Sequence, residues 1–383
     1  MKNFLGVIMI CLLTIYFPIA NLSFTETIQK DMVAVGWLSI PLDNPENIIW
    51  RNTSELSDYN QKLISMGVEG YIGDRDYGEI IGKNYTLQEA NLVKPSTSPD
   101  WSAWRIFLYD HSANNFTMLN IKTHRGSVSF GNPTFTSLTS PNANNCIVIT
   151  YFLFGEGAGI DEVGELIFYK EIENENLTTQ EIIEVFEDVT NASAHRYNSM
   201  DDQNCRVDTI KIIDNPEGGY LGVYHSFVNE NFQVRLATST DLLNWKFIRT
   251  IENSSSQPTI AQAPNGAYIV AFEKHLSNER CLKFHYYLNL QSLLTGVGWS
   301  EHSAELTLGK NTRLEGTPNI YNVTINNSEM LVCVGFHYDC LKESNNLIPI
   351  LIVIVTIVSI ITALTITIKI KGKKRHVRQN NEV

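Results

Sequence analysis

No Cys-x-x-Cys pair and no cysteine/histidine run at zinc-ligand spacing occurs in the 383 residues. A zinc module is therefore not expected, no cofactor is called for, and metal binding by His225 and His337 with nearby carboxylates is a weaker reading than substrate hydrogen bonding. Cysteine itself is sparse, with six in all. Helical periodicity is weak, its best stretch being the short acidic segment 179–186, so a helical fold is not expected. Basic residues are the minority, 29 against 41 acidic, for a net charge of −12, which opposes binding to nucleic acid. No linker of biased composition interrupts residues 21–346, which read as one domain. With 43% hydrophobic and 10% aromatic residues, that domain has ample material for a packed core.

The two ends are different in kind. Lys2, an apolar run and Pro18-Ile19-Ala20 have the layout of a secretory signal over residues 1–20. Residues 347–368 are apolar enough to span a bilayer as a helix and are followed by Lys369, Lys371, Lys373, Lys374, Arg375 and Arg378. The expected topology is single-pass type I: a domain outside the cytosol at the cell surface or in a secretory-pathway membrane, one C-terminal transmembrane helix and a basic cytoplasmic tail at 369–383. The tail cations suffice to hold anionic lipid headgroups. Asn-x-Ser/Thr acceptors at Asn21, Asn52, Asn84, Asn115, Asn176, Asn191, Asn253, Asn322 and Asn326 agree with a glycoprotein. With Cys11 in the signal, Cys146, Cys205, Cys281, Cys333 and Cys340 remain; disulfides are expected in an oxidising compartment, but the number is odd and the pairing is open.

Strand signals dominate between the two ends. Segments 105–109, 146–154, 165–169, 220–224, 232–237, 268–272, 283–287 and 330–336 are β-branched or aromatic and bounded by turn residues. Pro216-Glu217-Gly218-Gly219 and Pro264-Asn265-Gly266 are tight turns inside hairpins. One pattern recurs: Asn132-Pro133-Thr134-Phe135 leading to Tyr151-Phe152, Val207-Asp208-Thr209-Ile210 to Tyr224-His225, Gln257-Pro258-Thr259-Ile260 to Phe272-Glu273, and Thr317-Pro318-Asn319-Ile320 to Phe336-His337. Hairpins repeated several tens of residues apart predict an all-β propeller. Segment 32–123 has room for one more blade, which makes five, or six if it holds two.

In a propeller the inner strand of each blade starts at one rim of the funnel, and the antiparallel second strand ends at that rim. This gathers Asn132, Asp208, Gln257 and Glu315 with Phe152, His225, Glu273 and His337. Carboxylates around a sugar-sized concavity are what glycoside hydrolysis needs, one protonated and one ionised. Asp208, Glu273 and Glu315 are the catalytic candidates; Asn132, His225, Gln257 and His337 are candidates for substrate hydrogen bonding. Tyr151, Tyr224, Phe272 and Phe336 read as core. Trp101, Trp104, Trp245 and Trp299 are available for stacking on sugars, although Trp245 reads better as a blade anchor.

The run 207–224 with Ser239-Thr240-Asp241-Leu242-Leu243-Asn244-Trp245, together with Glu315-Gly316-Thr317-Pro318, resembles the five-bladed propeller glycoside hydrolases of the arabinanase, β-xylosidase and invertase type. The segment 257–273 also resembles sialidase-like exo-arabinanases. The first resemblance implies Glu315 as general acid and Asp208 as an orienting, pKa-modulating partner; the second implies that Glu273 is catalytic. The chain departs from the family's pattern at Asn132, where the inverting enzymes place a base, because an amide cannot accept the proton. Glu273, or Asp74 or Asp76 in the first blade, would have to serve instead. Two functions follow: a surface-anchored glycoside hydrolase acting on glycan or polysaccharide, or a catalytically inactive glycan-binding or attachment propeller. An acidic adhesion face without sugar is a third. The oligomeric state is open.

Overall fold

The computed structural model describes residues 32–41, 49–55, 57–70, 72–93, 101–126, 129–154, 164–174, 176–275, 280–303, 314–325 and 329–338. The expected signal at 1–20, the apolar span 347–368 and the basic tail lie outside them, as do the side chains of Asn52, Trp101, Glu315, Asn322, Asn326 and His337. Among the described residues no helix is long and apolar enough to cross a membrane.

The described residues begin with β1 (Met32–Pro41) and β2 (Ile49–Glu55), then a helix α1 (Ser57–Ser65). Antiparallel meanders follow. The first is β3 (Ile72–Ile80), β4 (Lys83–Asn91), β5 (Trp104–Asp110) and β6 (Asn115–Met118). The second is β7 (Phe130–Thr139), β8 (Asn145–Leu153) and β9 (Gly164–Glu171), then a helix α2 (Thr179–Glu187) and β10 (Ala194–Arg196). The third is β11 (Asp208–Asp214), β12 (Tyr220–Val228), β13 (Asn231–Ser239) and β14 (Lys246–Asn253). Then come β15 (Ser255–Gln262), β16 (Tyr268–His275), β17 (Arg280–Tyr287), a helix α3 (Leu290–Thr295), β18 (Trp299–Ser303), β19 (Leu314–Ile325) and β20 (Glu329–Tyr338).

Local chemistry explains the joints. In the β11–β12 hairpin Gly218 and Gly219 take φ of 104° and 75°, and a Cβ on Gly219 would stand 2.4 Å from the Ser239 carbonyl oxygen, so the sequence spends its glycines where a side chain cannot go. Thr178 and Glu181 form a reciprocal capping box that starts α2 despite its weak periodicity. The Asp241 carboxylate accepts from the Leu243 and Asn244 N–H groups, folding the turn that sends Trp245 into the core. Gly222 leaves the space for that indole, since a Cβ there would lie 2.7 Å from its ring.

The meanders pack face to face. Leu87, Phe135, Phe168 and Phe186 fill the space between the first and second sheets, Tyr169, Ile212 and Trp245 that between the second and third, and Leu236, Phe272 and Tyr287 the next. Each such side chain contributes about 1.5–3 kcal/mol through burial. The inner strands β3, β7, β11, β15 and β19 pack in a closed ring, with β19 returning against β3. This is an all-β propeller.

Five separate blades were expected; hydrogen bonding gives four sheets. Three have four strands, and the fourth has eight, because the β15–β18 meander is joined to the last one at a single parallel pair, Arg280 with Leu314. The last meander is completed from the other end of the chain, where β1 pairs with β20 along its whole length and β2 forms the edge. Segment 32–123 therefore supplies one complete sheet and two closing strands. No disulfide is formed among the described residues: Cys146 is a buried thiol in the core, and Cys205 is a thiol on the loop before β11.

Candidate functional site

The recurring sequence pattern is a bulge. Register shifts fall between Ile72 and Arg75, Gly131 and Thr134, Asp208 and Lys211, Ser256 and Thr259, and Gly316 and Pro318, at the start of each inner strand. Asn132, Thr209 and Gln257 occupy these bulges in the left-handed region, with φ of 44°, 51° and 47°. A side chain in that region is strained, and strain of this kind collects at rims and sites.

Strand pairing corrects the sequence alignment by one residue. Asp208 faces His225 as Gly131 faces Phe152 and Ser256 faces Glu273, so the counterpart of Asn132 and Gln257 is Thr209, not Asp208. Glu315 lies opposite Phe336 and His337 opposite Leu314 at the start of β19, which puts their backbones at the corresponding rim.

Along the axis a cavity of only about 20 Å³ is lined by Asp74, Asp76, Thr134, Thr209, Lys211 and Gln257 among others. That is room for about one water. A wider cavity of about 390 Å³, lined by Tyr77, Phe135, Ile213, Ile260 and Gln262, continues it, and Lys211 borders both. Asp76, expected as a possible base, is locked here. Its Oδ2 accepts from Lys211 Nζ at 2.6 Å and from the Phe135 N–H at 2.7 Å. Burial raises its carboxyl above the usual range, and Lys211 opposes that rise. Asp74 stays partly open to the funnel and is held across the axis by the Gln257 side-chain amide.

Asp208 and Glu273, two of the expected catalytic residues, are buried and do not line this cavity. Asp208 is 2% exposed. Its Oδ2 accepts from Arg206 Nη2 at 2.8 Å and Nε at 3.1 Å, while Oδ1 has no hydrogen-bond partner. Arg206 in turn sits 5.2 Å over the Phe152 ring. Burial raises the Asp208 carboxyl, against the Arg206 charge. Beside it stands Glu165, fully buried at the start of β9 with neither oxygen in a well-formed hydrogen bond. Burial, then the Asp208 charge, pushes the Glu165 carboxyl well above the usual range, with Thr150, the Thr209 N–H and Arg206 pulling the other way. Two carboxyl groups in different surroundings are thus neighbours, and the less compensated one keeps the proton.

The rim continues from there. His225, cross-strand from Asp208, accepts at Nδ1 from the Gln257 N–H at 3.4 Å. Burial drives its imidazole down to about 3, so it is neutral. Glu273 accepts at Oε2 from Ser256 Oγ at 3.2 Å, and His275 Nε2 lies 3.9 Å from the same oxygen. Asp208, His225, Gln257 and Glu273 therefore form one belt across the third and fourth sheets. Asn132 belongs to another interaction: its N–H donates to Glu89 Oε2 at 2.5 Å, and the Asp74 N–H donates to Glu89 Oε1 at 2.9 Å.

Glu89 and Glu165 were missed in the sequence. The available signals were a lone acid opening the apolar run Gly164-Glu165-Leu166-Ile167-Phe168, and the glycines that make room for Glu89. A Cβ on Gly73 would stand 2.0 Å from Glu89 Oε1, and one on Gly131 2.6 Å from Oε2. Burial pushes Glu89 up to about 7. Two expectations hold: Tyr151, Tyr224 and Phe272 are core, and Trp245 anchors a sheet interface.

No protein-family model and no curated protein matches the sequence. Solved structures it is similar to are glycoside hydrolases. An α-L-arabinofuranosidase from Lactobacillus brevis is 12% identical with a TM-score of 0.47, over 71% of this chain and 85% of that one. A family 117 glycoside hydrolase from the marine bacterium Zobellia galactanivorans is 12% identical with a TM-score of 0.42, over 70% and 84%. An α-L-arabinofuranosidase from Fusarium graminearum, in complex with an iminosugar inhibitor, is 13% identical with a TM-score of 0.43, over 68% and 74%. Likeness at this level carries no argument about chemistry, which rests on the chain's own residues.

Proposed function

We propose that this chain is a glycan-acting propeller of the glycoside hydrolase type, with its acid–base chemistry at Asp208 and Glu165. The observation that carries this reading is the buried pair itself. One carboxyl is pushed toward its protonated form by burial and by its neighbour, the other is charge-compensated by Arg206, and three of the four oxygens are left without a well-formed hydrogen bond. Unpartnered buried carboxyl oxygens are costly and concentrate at functional sites. Glu165 takes the role of proton donor and Asp208 that of the ionised partner, with Glu273 and Glu315 completing the acidic rim. The test is hydrolysis of a panel of aryl glycosides and polysaccharides by the purified protein. Glu165→Gln and Asp208→Asn are expected to lower turnover at least about 100-fold with the fold retained. No hydrolysis of any substrate sinks this reading.

A specific observation favours a second reading, binding without turnover: Asp208 and Glu165 are both buried, and the cavity at the axis is instead lined by Asp74, Thr209 and Gln257. Saturable binding on a glycan array with no product formed would select it.

The proposed setting is the outer surface of a membrane, with residues 1–20 removed and 347–368 as the anchor. Asn115, Asn176, Asn191 and Asn253 are exposed, as N-glycan acceptors must be, and this supports the setting. A mass shift on enzymatic removal of N-glycans, together with protease protection of the tail alone in sealed vesicles, is the expected result.

A further inference from the structure

Away from the funnel, β14, β17 and β18 bring together Glu252, His285 and Glu301, with one donor atom from each lying within 4.8 Å of the others. We propose that these three side chains bind one divalent transition-metal cation of the zinc class and so fasten the third sheet to the outer edge of the β15–β18 meander.

The donor set is already arranged for this. His285 Nε2 lies 3.6 Å from Glu301 Oε2 and 3.8 Å from Glu252 Oε2. Bonds of 2.0–2.2 Å in a tetrahedral zinc site set donors about 3.3 Å apart, so a small contraction closes the site. The imidazole is completely buried, yet Nε2 makes no well-formed hydrogen bond, its two carboxylate neighbours standing at 3.6 and 3.8 Å. A buried polar atom without a well-formed hydrogen bond needs an explanation, and a cation between it and the two carboxylates supplies one.

The surroundings orient the ligands. His285 Nδ1 is 3.2 Å from the buried Tyr287 hydroxyl, and with Nδ1–H donating to that oxygen Nε2 carries the lone pair a metal takes. Trp299 stacks on the imidazole with ring centroids 4.0 Å apart and holds its plane. Each carboxylate divides its oxygens: Glu252 Oε1 takes Lys274 Nζ at 2.5 Å and Glu301 Oε1 takes Lys283 Nζ at 2.8 Å, leaving both Oε2 atoms turned toward the imidazole. The two lysines hold the glutamates in place without using the oxygens a metal would take. Glu301 is exposed, so the fourth position opens to water. A nitrogen ligand disfavours calcium and magnesium, which prefer all-oxygen shells, and favours zinc over manganese.

Titration of the full-length, chelator-treated protein in detergent with zinc, manganese and calcium chlorides, followed by calorimetry, tests the site. One equivalent of zinc should bind, manganese more weakly and calcium not at all, and zinc should raise the thermal midpoint by a few degrees. Losing a ligand costs no less than the roughly 10–100-fold typical of outer-shell changes, so His285→Ala and Glu301→Gln should each weaken zinc binding at least about tenfold. Glu301 is on the surface, so its variant tests the site even if His285→Ala fails to fold. Absence of zinc binding overturns the proposal, as does a folded Glu301→Gln protein that binds zinc and gains thermal stability as the parent does.

Discussion

Lys211 and Asp76, 135 residues apart in the chain, meet at 2.6 Å on the propeller axis, where Lys211 borders both the narrow cavity and the wider one. Each is on an inner strand of a different sheet, and Lys211 Nζ also donates to the Phe135 carbonyl at 2.7 Å on a third strand. One ammonium thus ties three sheets at the centre of the ring.

Removing one member of such a pair leaves a buried charge uncompensated. Lys211→Met is expected to lower the unfolding free energy by about 3–5 kcal/mol, and the double variant Lys211→Met/Asp76→Asn to recover much of that loss. Urea unfolding of the parent, the single and the double variants measures this. A cost under about 1 kcal/mol for Lys211→Met would mean the pair is effectively solvated.

Glu89 makes stability depend on pH. Its folded pKa of about 7 lies above the usual 4.5 because of burial, so the folded state binds its proton more tightly than the unfolded state does. The resulting stabilisation is fully present below about 4.5 and is lost as pH rises to about 7, with a magnitude of about 3 kcal/mol. The Glu89→Gln variant, which does not titrate, should show a flatter profile across that window in denaturant unfolding at a series of pH values. Parallel profiles would contradict the assignment.

The propeller was legible in the sequence because its local devices are local in the chain: the glycine turns at 218–219 and 266, the Asp241 turn before Trp245, and the repeated polar-Pro-Thr-apolar strand start. The one-residue misalignment of Asp208 has a physical cause. A bulge adds a residue to one strand only, so equivalence is set by the partner strand, His225 against Phe152 and Glu273, and not by similarity within the repeat. Glu89 and Glu165 escaped notice because they lie on second and third strands and reach Asn132 and Asp208 only when sheets pack together. The pairing of β1 with β20 leaves no local trace either, since each strand reads as an ordinary edge until its distant partner is known.

Cys146 should be chemically silent. It lies in the core between the second and third sheets, and burial, with Asp214 and Glu171 adding to it, pushes its thiol up to about 12. The thiolate is the reactive species, so native protein should leave Cys146 unlabelled by iodoacetamide at neutral pH while Cys205, partly exposed, reacts faster. Peptide mass mapping after native and denatured labelling distinguishes the two. Rapid native labelling of Cys146 would show that the sheet interface opens.

Thr209 carries strain that can be removed. A β-branched residue at a φ of 51° is unfavourable by about 1–2 kcal/mol, and its buried Oγ1 has no hydrogen-bond partner. Glycine adopts that φ freely but costs roughly 0.5–1 kcal/mol in unfolded-chain entropy. Relief of the backbone and of the orphaned hydroxyl outweighs that cost, so Thr209→Gly should stabilise the fold by about 1 kcal/mol and raise the urea midpoint. Because Thr209 lines the funnel and its N–H faces Glu165, the same substitution should reduce glycan hydrolysis or binding if the strained bulge positions the rim. A variant that is both more stable and less active would place the strain in function; one that is less stable would show that the threonine side chain packs better than its backbone suggests.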